Sequence, residues 1–188
     1  MEYPWKGLSR VKGNFHARFL GGRGRVNRPR LPGAFPRAPQ NCMNQEYEIT
    51  TDSARFDLGL IHEFLANSYW ARGIPREVVE RSLQHSLAFA AFHGQQQVGF
   101  ARVTTDFATI AYVGDVFVVP EHRGRGVSKL LMRAVLAHPR LQGLRRLLLA
   151  TRDAQGLYAQ FGFQPLAHPD HWLRAVSSGW RRWDRMLG

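Results

Sequence analysis

The sequence predicts an α/β fold, a mixed central sheet with helices on both faces. Three observations predict it. Apolar residues recur at helical spacing in some segments and at strand spacing in others, and the two kinds alternate from about residue 45 to residue 176. A β-branched and aromatic run at 109–119 feeds a turn with two glycines, and an amphipathic helix follows at once. The length of 188 residues suits one domain with a real core.

Taken in order, residues 47–51 form a short strand. Residues 57–67 form a helix, with Leu58, Ile61, Phe64 and Leu65 at helical spacing. Residues 68–73 are a loop carrying Tyr69, Trp70 and Arg72. Pro75 opens a second helix, since proline is tolerated at the first helical position. Its apolar residues Val78, Val79 and Leu83 share a face. Residues 87–93 and 97–105 are strands on either side of Gly94-Gln95-Gln96, a hairpin signal. Within the run 109–119, Gly114 marks a bulge or a close backbone approach. The helix 126–137 ends at His138-Pro139, and a fifth strand occupies 146–151. A short helix at 154–161, a strand from 164 onward and an edge strand at 172–176 complete the expectation.

The net charge of +12 is unevenly placed. Residues 1–42 hold nine Lys and Arg against the single acid Glu2, and Gly and Pro punctuate them throughout. This stretch is expected to be a disordered basic arm, with translation starting naturally at Met43. A domain then spans 43–176 and a tail 177–188. Nucleic-acid binding would rest on the arm alone, without an aromatic platform or a helix-turn-helix beside it, so no such partner is expected. No apolar run approaches the ~20 residues of a membrane helix, and no membrane partner is expected. Cys42 is the only cysteine, which excludes a disulfide framework and favours a reducing, cytoplasmic setting. His168 and His171 are i, i+3 without a third ligand in the sequence pattern, so no metal is expected.

The chemistry concentrates in Arg123-Gly124-Arg125-Gly126-Val127-Ser128. Val127, Leu130, Leu131, Ala134 and Val135 make one apolar stripe on the following helix. A helix start presents free N–H groups and about half a positive charge. Gly124 and Gly126 carry no side chain to block an anion there, and Arg123 and Arg125 add charge, so the turn suits a pyrophosphate. The Walker pattern is absent, and the dinucleotide pattern fails because Lys129 stands where its last glycine would be.

This segment resembles the Arg/Gln-x-x-Gly-x-Gly/Ala motif of the GNAT acetyltransferase superfamily, with Ser128 in place of the last small residue. Leu157-Tyr158-Ala159-Gln160-Phe161-Gly162-Phe163 is similar to the Leu/Phe-Tyr-x-x-x-Gly-Phe signature further along that family. The resemblance covers about residues 45–176. It implies a GNAT-like domain, acetyl-CoA as cosubstrate, and direct acetyl transfer to an amine, on a small molecule or a peptide. It implies that Val116, Phe117 and Val118 pair with the pantetheine arm on a strand splayed from its neighbour. It assigns Arg123 to Ser128 to the phosphates and Tyr158 to protonating the departing thiolate. The acceptor pocket falls to Tyr69, Trp70 and Arg72.

The general base is left open. The fifth strand, Leu147-Leu148-Leu149-Ala150-Thr151, carries no acid. Asp115 is the replacement, with Asp153, Glu63 and an ordered water chain as alternatives. Thr151 stands where relatives carry an asparagine that contacts the cofactor. A non-catalytic acyl-CoA sensor is the competing reading. The acceptor's identity and the oligomeric state, homodimer included, stay open.

Overall fold

A computed structural model describes residues 46–173. Nine elements follow in order: β1 (Glu48–Thr50), α1 (Leu58–Asn67), α2 (Arg76–Gln84), β2 (Leu87–His93), β3 (Gln96–Thr105), β4 (Ile110–Val118), α3 (Val127–Ala137), β5 (Arg146–Leu149) and α4 (Gln155–Ala159). The five strands make one sheet in sequence order. The first four pair antiparallel, and β4 pairs β5 in parallel. The sheet is therefore mixed, as expected. β2 has five consecutive buried residues, the pattern of a strand covered on both faces.

Side chains alternate between two cores, as the two-residue period of a strand requires. Phe89, Ala101 and Val118 meet Leu131, Met132 and Val135 of α3 on one face. Ala88, Phe100 and Phe117 meet Ile61, Leu65 and Val79 of α1 and α2 on the other. Leu131 and Met132 are fully buried, and each contributes about 1.5–3 kcal/mol by leaving water. Gly99 lets α3 lie close to the sheet. A Cβ there would sit 3.1 Å from the Phe117 carbonyl oxygen and 3.3 Å from Leu131 Cδ1.

Local chemistry sets the element ends. The Asp57 carboxylate caps α1 by accepting from the Leu60 N–H at 2.9 Å. Pro75 precedes α2 as its cap, rather than occupying its first position. Gly126 caps α3 at φ +84°, a left-handed conformation that glycine adopts without a Cβ penalty.

The expected strand from 164 onward does not form. Pro165 and Pro169 lack the N–H that a ladder needs, and the exposed segment leads into a 3-10 turn at Pro169–His171. Trp172 and Leu173 are outside any strand, and the rest of the expected 172–176 strand lies outside the described residues. So do the 1–42 arm, the start at Met43 and the 177–188 tail.

Two irregularities of β4 prepare the site. Its register against β3 slips between the pairs Phe100↔Phe117 and Arg102↔Gly114, so Asp115 and Val116 face the single residue Ala101. Asp115 takes φ +54° in this bulge. The bulge follows directly on Gly114, which the sequence had marked. The parallel pairing with β5 ends at Val113↔Leu149, so the edge from 114 to 118 has no β5 partner.

Candidate active site

The unpaired edge of β4 opens on a cavity of about 900 Å3. Val116 to Val119 form its floor, and the turn Pro120 to Gly124 with Gly126 to Ser128 closes one end. Leu60, Glu63, Phe64 and Asn67 line it from α1, spaced i, i+3, i+4, i+7. Ser68 to Trp70 and Asp153, Ala154, Leu157 and Tyr158 supply the rest.

At the turn, Gly124 and Gly126 have φ +74° and +84°. A Cβ at either would meet no atom within 4 Å, so in this chain the backbone's sign demands glycine at both. The Arg123 guanidinium Nε donates to the Val118 carbonyl at 3.0 Å, which braces the turn against the end of β4. Arg125 is exposed, is not among the lining residues, and faces Glu46 at 3.6 Å. His122 lines the cavity, and its Nδ1 is hydrogen-bonded to the Tyr47 hydroxyl at 2.9 Å.

Tyr158 lies on α4, only 9% exposed. Burial pushes its phenol above the ordinary tyrosine value, and Tyr69, Asp153 and Tyr112 add to the effect. The ring packs edge-on against Phe163 at 5.9 Å. The Thr151 hydroxyl accepts from the Ala154 N–H at 3.1 Å, so this side chain holds the approach to α4.

An aromatic series leads from β4 across α1 to the loop after it. Phe64 stacks on Phe117 with centroids 3.9 Å apart, Trp70 lies 6.5 Å from Phe64, and Tyr69 lies 4.9 Å from Trp70. The Tyr69 hydroxyl donates to Asp153 Oδ1 at 3.4 Å.

Most of the residues expected at the site converge there: Tyr69, Trp70, Val116, Phe117, Val118, Arg123, Gly124, Gly126, Val127, Ser128 and Tyr158. Three do not line the cavity. Arg72 is exposed on its loop, and Arg125 turns outward. Asp115 is held elsewhere, because the bulge aims its carboxylate at the Arg102 guanidinium, 2.6 Å away, and the Trp70 indole N–H donates to it at 3.3 Å. Glu63 and Asp153, weaker candidates in the sequence, do line the cavity. Leu60, Phe64 and Asn67, which join Glu63 on one stripe of α1, were not expected at the site, although the i, i+3, i+4, i+7 spacing was present to find. Outside the cavity, Asp170 joins His168 and His171 in an exposed cluster whose ligand atoms lie within 4.8 Å, so the third neighbour that spacing did not supply is present.

The geometry fits a phosphorylated, extended ligand: an arginine-braced turn at a helix start, a strand edge without a β5 partner, and a buried phenol in the same cavity. Comparison with known proteins agrees. The acetyltransferase (GNAT) family model matches residues 51–163. A crystal structure of a GNAT-family protein from Xanthomonas campestris pv. campestris is 52% identical, covering 71% of this chain and 95% of that one, with a TM-score of 0.68. A curated protein of Gibberella zeae named "Putative acetyltransferase FG08082" is 28% identical over 145 residues, which are 65% of this chain and 81% of that protein. A predicted acetyltransferase from Clostridium acetobutylicum, solved with acetyl-CoA, shares the fold at 16% identity and a TM-score of 0.52, covering 69% of this chain and 94% of that one.

Proposed function

The chain belongs to the GNAT family of acetyltransferases, and from that premise we propose that it transfers an acetyl group from acetyl-CoA directly to an amine, with both substrates bound together. The observation that carries this reading is the cavity itself, which joins the glycine turn, the open edge of β4 and Tyr158 in one space.

Acetyl-CoA would supply an activated thioester. The turn from Arg123 to Ser128 would take its phosphates, and the 116–118 edge its pantetheine arm and carbonyl. Backbone N–H groups in this edge are fixed before reaction, so they stabilise developing negative charge without reorganising. Tyr158 gives its phenolic proton to the leaving thiol sulfur. Tyr158 is protonated at neutral pH, as any phenol is, and burial extends that state to higher pH while making the phenol a weaker acid. The amine must shed a proton first; of the three lining carboxylates, Glu121 belongs to the turn, and Glu63 and Asp153 are the groups we assign to receive it, directly or through water. We give Asp115 a scaffold role instead, because its carboxylate is already engaged by Arg102 and Trp70.

Two measurements test the proposal. Millimolar acetyl-CoA should raise the melting temperature, because a ligand that binds only the folded state stabilises it. Thiol release should then depend on an added amine. An unshifted melting curve would refute cofactor binding. A clear shift with no thiol release across a broad amine panel would turn the reading toward a non-catalytic acyl-CoA sensor.

A further inference from the structure

The acceptor end of the cavity carries its own chemical signature. Resting on the acetyl-transfer reading, we infer that the acceptor is an arylalkylamine: an aromatic or similarly flat apolar body, a cationic amine, and no carboxylate.

Three observations point to this class. The first is the continuous aromatic wall. Phe117, Phe64, Trp70 and Tyr69 follow one another at 3.9, 6.5 and 4.9 Å. Phe117 is 4% exposed and stacked on Phe64, so it backs the wall, and the partly buried Phe64, Trp70 and Tyr69 would take an aromatic body by offset or edge-on contact.

The second is the sign of the charge beside the wall. Glu63 and Asp153 both line the cavity, and Tyr69 ties Asp153 to the aromatic side by its 3.4 Å hydrogen bond. An arriving ammonium finds two carboxylates there.

The third is where the cations are. Arg123 is the one arginine among the described lining residues, no lysine is among them, and Arg123 belongs to the turn at the other end. Arg72, which could have paired with a carboxylate, is exposed on its loop and does not line the cavity. Arg152 lies over the Tyr69 ring at 3.9 Å and is likewise not a lining residue. A carboxylate carried in by the acceptor would therefore meet like charge from Glu63 and Asp153, while the Arg152 cation beside the wall lies over the Tyr69 ring rather than in the cavity lining. Discrimination of this kind comes from repelling the wrong partner as much as from attracting the right one.

Matched pairs isolate the carboxylate. The full-length protein is assayed with acetyl-CoA and tryptamine against tryptophan, then tyramine against tyrosine, with putrescine as an amine lacking the ring. Calorimetry with CoA bound measures the same amines without turnover. The arylalkylamine should exceed its amino acid in kcat/KM by about tenfold or more, bind more tightly in the same order, and exceed putrescine. The double variant Glu63→Gln, Asp153→Asn changes two exposed positions, and it should narrow the ratio within each pair. The melting shift with CoA is recorded in every case. If CoA gives no shift in the wild type, the cofactor reading itself has failed. If CoA binds but the members of each pair react equally, the amino acid is preferred, putrescine is best, or no member reacts, the inference is overturned.

Discussion

The Tyr158 phenol is 9% exposed and feels the Asp153 carboxylate, so it resists ionising and keeps its proton to higher pH than an ordinary tyrosine. If it protonates the leaving thiolate, Tyr158→Phe should lower kcat by about 10²–10⁴-fold, because only the hydroxyl is removed. The melting shift with acetyl-CoA should survive, since the phosphate turn is untouched. The pKa is raised, so the acid form persists above the ordinary tyrosine value of 10.0 and is lost only as pH climbs through the higher folded value. The alkaline limb of the wild-type rate profile should therefore lie above about pH 10 and vanish in the variant. At this scale the sequence was legible where a residue's role depends on its place in a short motif. Tyr158, Gly126 and Arg123 were singled out that way, and all three line the cavity. Asp115, Arg72 and Arg125 were chosen for type and proximity along the chain. Whether such a side chain faces the cavity depends on local backbone turns that type does not encode.

The bulge in β4 is a property of an element, and it explains the displacement of Asp115. Two residues of β4 face Ala101, one of them at φ +54°, and the carboxylate swings toward Arg102. The pair is largely shielded, with side-chain exposures of 23% for Arg102 and 14% for Asp115. Asp115→Asn keeps a residue that tolerates positive φ but removes the charge. We expect a loss of about 1–3 kcal/mol, seen as a lower melting temperature, because Arg102 is left half-buried without its counter-ion. Turnover at saturating substrate should fall by less than tenfold. A large drop in kcat at unchanged stability would return Asp115 to the role of base. Helices and strands were legible here to within a residue or two at most ends, since α1, α3 and β2 follow clean periodicities. The strand after 163 was over-read because apolar residues outweighed two prolines. The end of β5 at Leu149, rather than 151, could not be read, because it is set by where β4 turns away.

For the molecule as a whole, the family match at residues 51–163 and the periodic sequence both fall after Met43. We propose that a chain beginning at Met43 folds and binds acetyl-CoA like the full chain. Matching melting temperatures and matching ligand shifts would bear this out, and an insoluble truncated chain would refute it. The mixed sheet with helices on both faces was legible because it follows from the order of elements. The cavity was not, because it arises where two strands that pair at one end separate at the other. That separation also leaves a stretch of β4 backbone without a β5 partner. A stretch of backbone with vacant donors and acceptors is a template on which foreign chains can lengthen a sheet, the first step toward aggregation. Here the stretch is five residues long, bent by a bulge, and followed at once by Val119 and Pro120. These are the features that blunt such templates. A cosubstrate lying along the same groove would occupy the vacancy as a surrogate strand, so protein stored with its ligand should stay dispersed at concentrations where the bare protein begins to associate.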